Sequence, residues 1–187
     1  MALSTIYHTF NCHNESTFNC VLCLDYAGIP LITIGSLIPF LFYSFNCSHP
    51  NIFFIYASSM STFGLFLIIF TQTKTFMKPE WRRVRALLFF LFGFSVMIPF
   101  VHISVLFSFN YLVEKLKVVH LCLSGLLYTS GMVIYCLRFP EKYFPRIFDT
   151  WFHSHNWFHV LVAAAAFNYY RTMLTVKGLN SVCLENK

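Results

Sequence analysis

Five long apolar runs constrain what this chain can fold into. They cover residues 24–45, 52–70, 86–109, 118–137 and 151–170. Each is close to the roughly 20 residues that an α-helix needs to cross the hydrocarbon of a bilayer. Residues 1–10 are also apolar but too short to cross, and read as the last turns of a helix whose beginning is absent. They have no basic leader, long apolar core or small-residue cleavage site, so they do not read as a secretory signal. Charged residues make up 11% of the chain and hydrophobic ones 57%, against about 25% and 45–50% in soluble domains. The expected class is all-α: a polytopic membrane helical bundle of five full transmembrane helices plus an N-terminal helix stub, forming one transmembrane domain over residues 1–187. The net charge of +6 lies in loops and forms no basic face, so no nucleic-acid partner is expected.

Loop charge sets an orientation. Lys74, Lys78, Arg82, Arg83 and Arg85 lie between the second and third runs, and Arg138, Lys142 and Arg146 lie before the last. By alternation these two loops share a side with residues 11–24. The opposite side carries Lys115, Lys117, Arg171, Lys177 and Lys187. Eight positive residues against five make the first side cytoplasmic. The tail is then extracellular or lumenal, in the plasma membrane or an endomembrane.

Three histidines are candidate metal ligands. His155 and His159 stand at i and i+4, one turn apart on one helix face, and His8 has Ser4 at the same spacing. Neutral imidazoles gathered in an apolar setting suit a metal, most often zinc. The expected topology puts Ser4, His8, Asp25, His155 and His159 at one depth, just inside the cytoplasmic boundary. Plainer readings stand beside this one. Asp25 suits the first turn of a helix, where the dipole favours an acid, though it is the only carboxylate within any run. The histidine pair could pack between helices at the interface. His153 faces away from His155, and His102 follows Pro99 by three residues and could serve a carbonyl freed by that proline.

Several motifs resemble the progestin and adipoQ receptor family, which includes the adiponectin receptors and the haemolysin III-like proteins. They are Ser4-Thr-Ile-Tyr-His8 followed by Leu24-Asp25-Tyr26-Ala27-Gly28-Ile29, and Arg138-Phe-Pro-Glu-Lys-Tyr-Phe-Pro145 leading to Ser154-His155-Asn-Trp-Phe-His159. The alanine run within residues 161–167, and Pro99 with His102, resemble the adiponectin-receptor branch. The resemblance covers essentially the whole chain. It implies seven transmembrane helices, a cytoplasmic N-terminus, an extracellular C-terminus and one zinc ion near the cytoplasmic face. It implies His8, His155 and His159 as zinc ligands, with Ser4 and Asp25 beside them as catalytic candidates. By the same resemblance this chain lacks the first two transmembrane helices.

The function the resemblance implies is an adiponectin-receptor-like membrane receptor in lipid signalling. It also implies zinc-dependent hydrolysis of an amide-linked lipid such as ceramide, and an extracellular protein or steroid ligand. Three protein ligands leave a fourth zinc position open, which is the arrangement of a catalytic zinc. Asp25 could then orient or deprotonate water, and Ser4 could bond water or a substrate carbonyl. The alternatives are a non-catalytic receptor or scaffold whose zinc is structural, and an inactive truncated product. The seven cysteines add little: Cys20 and Cys23 make a lone CxxC with no second pair at zinc-ribbon spacing. The sequons at Asn14 and Asn46 are expected to stay unused.

Overall fold

The computed structural model describes residues 2–73, 75–148 and 151–179. Lys74 and Lys187, which count in the charge balance above, lie outside the described residues. Among those described, the regular structure is helical: α1 (Ala2–Phe10), α2 (Glu15–Phe45), α3 (Pro50–Thr71), a 3₁₀ turn (Pro79–Trp81), α4 (Arg82–Phe94), α5 (Met97–Leu106), α6 (Phe109–Glu114), α7 (Val118–Leu137) and α8 (Ser154–Leu179). The chain falls into two compact units, Met1–Phe100 and Val101–Lys187.

Among the described residues, four helical stretches are long and apolar enough to cross a membrane: α2, α3, the α4–α5 stretch Arg82–Leu106, and α7. Five crossings were expected. The last run does form a helix, the 26-residue α8. His155, Asn156, His159, Asn168 and Arg171 reduce its apolar character, and it does not stand among the four. The third run is broken at Ser95–Val96, where α4 ends and α5 begins two residues before Pro99.

The first unit is built around α2. Asn14 caps this helix by accepting the Thr17 backbone N–H at 2.7 Å, so it begins nine residues before the apolar run does. Leu37, Phe40, Leu41 and Phe45 of α2, Leu67 of α3 and Phe92 of α4 are buried. Gly64 of α3 lets the helices meet. A Cβ there would lie 2.5 Å from Ile34 Cδ1 and 2.9 Å from the Phe92 ring. The far side of α3 is apolar and exposed, through Phe54, Ile55, Leu65, Phe66 and Ile69, as suits a face in contact with lipid.

Arg85, counted above among the loop positives, is a buried side chain in the first turn of α4. It donates to the carbonyls of Phe76 and Lys78, and stacks over the Tyr26 ring at 4.7 Å. Phe70, Phe76 and Trp81 close the same corner with ring centroids 4.2 and 4.6 Å apart. Cys47, in the turn after α2, is disulfide-bonded, whereas Cys12, Cys20, Cys23, Cys122 and Cys136 are free.

The second unit is an α7–α8 hairpin with α6 against α7. Gly131 allows the close approach: a Cβ there would stand 3.3 Å from Leu161 Cβ and 3.5 Å from the Phe158 carbonyl oxygen. Near the start of α7, Asn168 of α8 donates to the His120 carbonyl and the Ser124 hydroxyl, each at 2.8 Å.

Candidate metal and hydrolytic site

Ser4, His8 and Asp25 belong to the first unit. Ser4 and His8 are one turn apart on α1, which packs along α2, where Leu3 Cβ lies 3.8 Å from the position a Cβ on Gly28 would take. Tyr7 ties the two helices: its ring meets Phe18 at 6.0 Å and the His8 imidazole edge-on at 5.0 Å. Ser4 is buried, whereas His8 is exposed. Asp25 is half-buried, ten residues into α2. The plainer reading placed it in a first turn. The first turn instead holds Glu15, and the dipole at that end falls off within one turn, so it does not explain Asp25.

His155 and His159 belong to the second unit, and their Nε2 atoms are 3.1 Å apart. Two nitrogens bound to one tetrahedral zinc at about 2.0–2.1 Å would be separated by about 3.3–3.4 Å. The pair is therefore already near the spacing of two ligands on one ion. Both rings are half-buried. His155 is held by neighbours: Tyr135 of α7 at 5.7 Å, and Phe158 stacked at 6.2 Å. His153, expected to face away, has its ring parallel to that of His155 at 6.3 Å. His102 is half-buried in α5.

Glu141 was not foreseen as part of this arrangement. It sits in the turn after α7 and accepts two hydrogen bonds from Ser154, the first residue of α8. The backbone N–H donates to Oε2 at 2.8 Å and the hydroxyl donates to Oε1. Burial pushes the Glu141 carboxyl up. The bonds from Ser154, one from its own backbone N–H and the charge of His153 outweigh this and hold it below the ordinary carboxylate range. Its partner is thirteen residues away, beyond the local spacing at which capping pairs are recognised in a sequence. Tyr135 and Asn168 were missed for the same reason, since both act across the helix pair.

The haemolysin-III-related family pattern matches residues 1–170 of this chain. The chain is 39% identical over 171 residues to a Drosophila melanogaster protein called adiponectin receptor protein, covering 91% of this chain and 38% of the fly protein. It is 37% identical over 175 residues to heptahelical transmembrane protein 4 of Arabidopsis thaliana, covering 91% and 44%. It is 34% identical over 186 residues to the ADIPOR-like receptor IZH2 of Saccharomyces cerevisiae, covering 100% and 58%. The chain thus spans about two-fifths to three-fifths of the length of these relatives.

Proposed function

This chain belongs to the haemolysin-III-related family and is a multi-pass integral membrane protein, and from that premise we propose an adiponectin-receptor-like protein with a zinc site on its cytoplasmic side. In this reading His8, His155 and His159 are its three imidazole ligands. The observation that carries this reading is the 3.1 Å spacing of the His155 and His159 nitrogens, set beside the spacing zinc requires. Zinc held there supplies Lewis-acid polarisation and acidifies water.

The residues of the chain do the rest. Asp25 is the proton acceptor that orients and deprotonates water. Ser4 donates its hydroxyl to the carbonyl oxygen of the substrate. The substrate class is an amide-linked lipid such as ceramide, because its acyl chains suit a site reached from hydrocarbon. A receptor role, with an extracellular protein or steroid ligand, is compatible with the same site.

In this reading α8 is a fifth crossing and both units belong to one transmembrane domain. At 26 residues and about 1.5 Å per residue, α8 exceeds the roughly 30 Å of hydrocarbon. It also presents Val160, Phe167, Tyr170 and Leu174 outward. The loop-charge balance puts the α3–α4 and α7–α8 connections in the cytoplasm and the C-terminus outside. The Cys47 disulfide supports the same sense, since disulfides persist on the oxidising side.

The deciding experiment measures zinc content and fatty-acid release from ceramide on one purified sample. One zinc per chain with release, both lost in His155→Ala, is the expected result. One zinc without release makes the zinc structural and the protein a non-catalytic receptor or scaffold. No zinc overturns the metal site.

A further inference from the structure

His155 is the second residue of α8, which is a weak place for a ligand. Helix ends fray, and the first four backbone N–H groups of a helix have no partner within it. An unwound first turn would take His155 away while leaving His159, one turn deeper, in place. The two nitrogens now 3.1 Å apart would separate.

Ser154 is held unusually well for a first residue. It is 2% exposed, and both its backbone N–H and its hydroxyl are given to one carboxylate, that of Glu141. A carboxylate at a helix N-terminus also complements the dipole. Glu141 itself is fixed by the end of α7. The Arg138 cap N–H bonds the Ile134 and Tyr135 carbonyls, and Lys142 N–H bonds the Arg138 carbonyl at 2.9 Å. Tyr135, in that same last turn of α7, packs on the His155 ring. One end of α7 therefore supplies both the clamp on the backbone before His155 and a wall for its side chain.

We propose that Glu141 is a positioning residue for the metal pair: through Ser154 it fixes the first turn of α8 and so holds His155 within ligand distance of His159. This inference rests on the zinc reading above. Glu141 need not touch either histidine or the substrate. Its effect runs through two hydrogen bonds to the residue before His155.

The test uses the full chain purified in detergent, with zinc affinity from competition against a chromophoric chelator and the visible spectrum of the cobalt-substituted protein. Residues that orient metal ligands typically contribute about 10–100-fold to affinity. Glu141→Ala is expected to weaken zinc binding by that factor and to alter the cobalt bands. Ser154→Ala, which removes one of the two bonds, should weaken it less. The double variant should bind no more weakly than Glu141→Ala alone, because the effect of Glu141 passes through Ser154. Glu141→Gln keeps the shape and one acceptor, and should fall between Glu141→Ala and the wild type. If Glu141→Ala does not fold, Glu141→Gln decides on the same readouts.

Wild-type zinc affinity and an unchanged cobalt spectrum in the deciding variant would overturn the positioning role and leave the zinc site intact. A further loss in the double variant would also overturn it, since the two residues would then act independently. A wild type that holds no zinc removes the metal site itself.

Discussion

Asn168 of α8 donates one amide hydrogen to the Ser124 hydroxyl and the other to the His120 carbonyl, both at 2.8 Å, bonding α8 to α7 through its side chain. Ser124 is buried and also reaches the His120 carbonyl at 3.2 Å, so the three groups share one small network. In a membrane such interhelical bonds are worth about 0.6–2 kcal/mol. Asn168→Ala should lower the unfolding free energy in detergent by that amount. Equal stability of variant and wild type would show that the network contributes nothing.

Gly64 should resist enlargement. A valine there would drive its side chain into Ile34 and the buried Phe92 ring. Overpacking of this kind costs about 1–3 kcal/mol. Gly64→Val is expected to lower the thermal midpoint, and pairing it with Ile34→Ala should recover part of the loss. No recovery would mean that Ile34 is not the obstacle.

Acid should weaken the α7–α8 connection through Glu141. Its carboxyl is held below the ordinary range in the folded chain, so the unfolded state takes up the proton more readily. The stabilisation is complete above the unfolded value of about 4.3 and is lost as pH falls through the lower folded value. The thermal midpoint of Glu141→Gln should therefore lie below that of the wild type at neutral pH, and the gap should narrow as pH falls below the unfolded value of about 4.3. A gap independent of pH would mean that the carboxylate charge plays no part.

Asp25→Asn is expected to separate metal binding from chemistry. If three imidazoles hold the zinc, Asp25→Asn should retain one zinc per chain and lose amide hydrolysis by about 10²–10⁴-fold, the usual contribution of a general base. Zinc analysis and fatty-acid release on the same preparation measure both quantities. Full turnover in the variant would take the proton-transfer role away from Asp25.

Cys20 reports topology. It is free and exposed near the start of α2, on the side proposed as cytoplasmic. A membrane-impermeant maleimide should label it only after cells are permeabilised, with Cys12 and the other thiols replaced by serine. Labelling in intact cells would invert the proposed orientation.

The helical class was legible because hydrocarbon thickness imposes a length and a composition that a sequence displays openly. The polar character of α8 was legible residue by residue, but its run of alanines and aromatics concealed how far His155, His159 and Asn168 reduce its apolar content. The histidine pair was legible because its i, i+4 spacing is local. Glu141, Tyr135 and Asn168 were not. Each acts on a partner between thirteen and forty-eight residues away, and no periodicity connects such residues. Arg85 looked like one more loop cation until the carbonyls of Phe76 and Lys78 were seen folded around it.

The polar residues of α8 have a consequence for biogenesis. A helix that carries two imidazoles, two amides and a guanidinium partitions poorly into lipid by itself. Against α7 its Asn168 amide finds the Ser124 hydroxyl and the His120 carbonyl, and its backbone closes on Gly131. In the proposed five-crossing topology, α8 is therefore expected to enter the bilayer packed against α7 rather than alone.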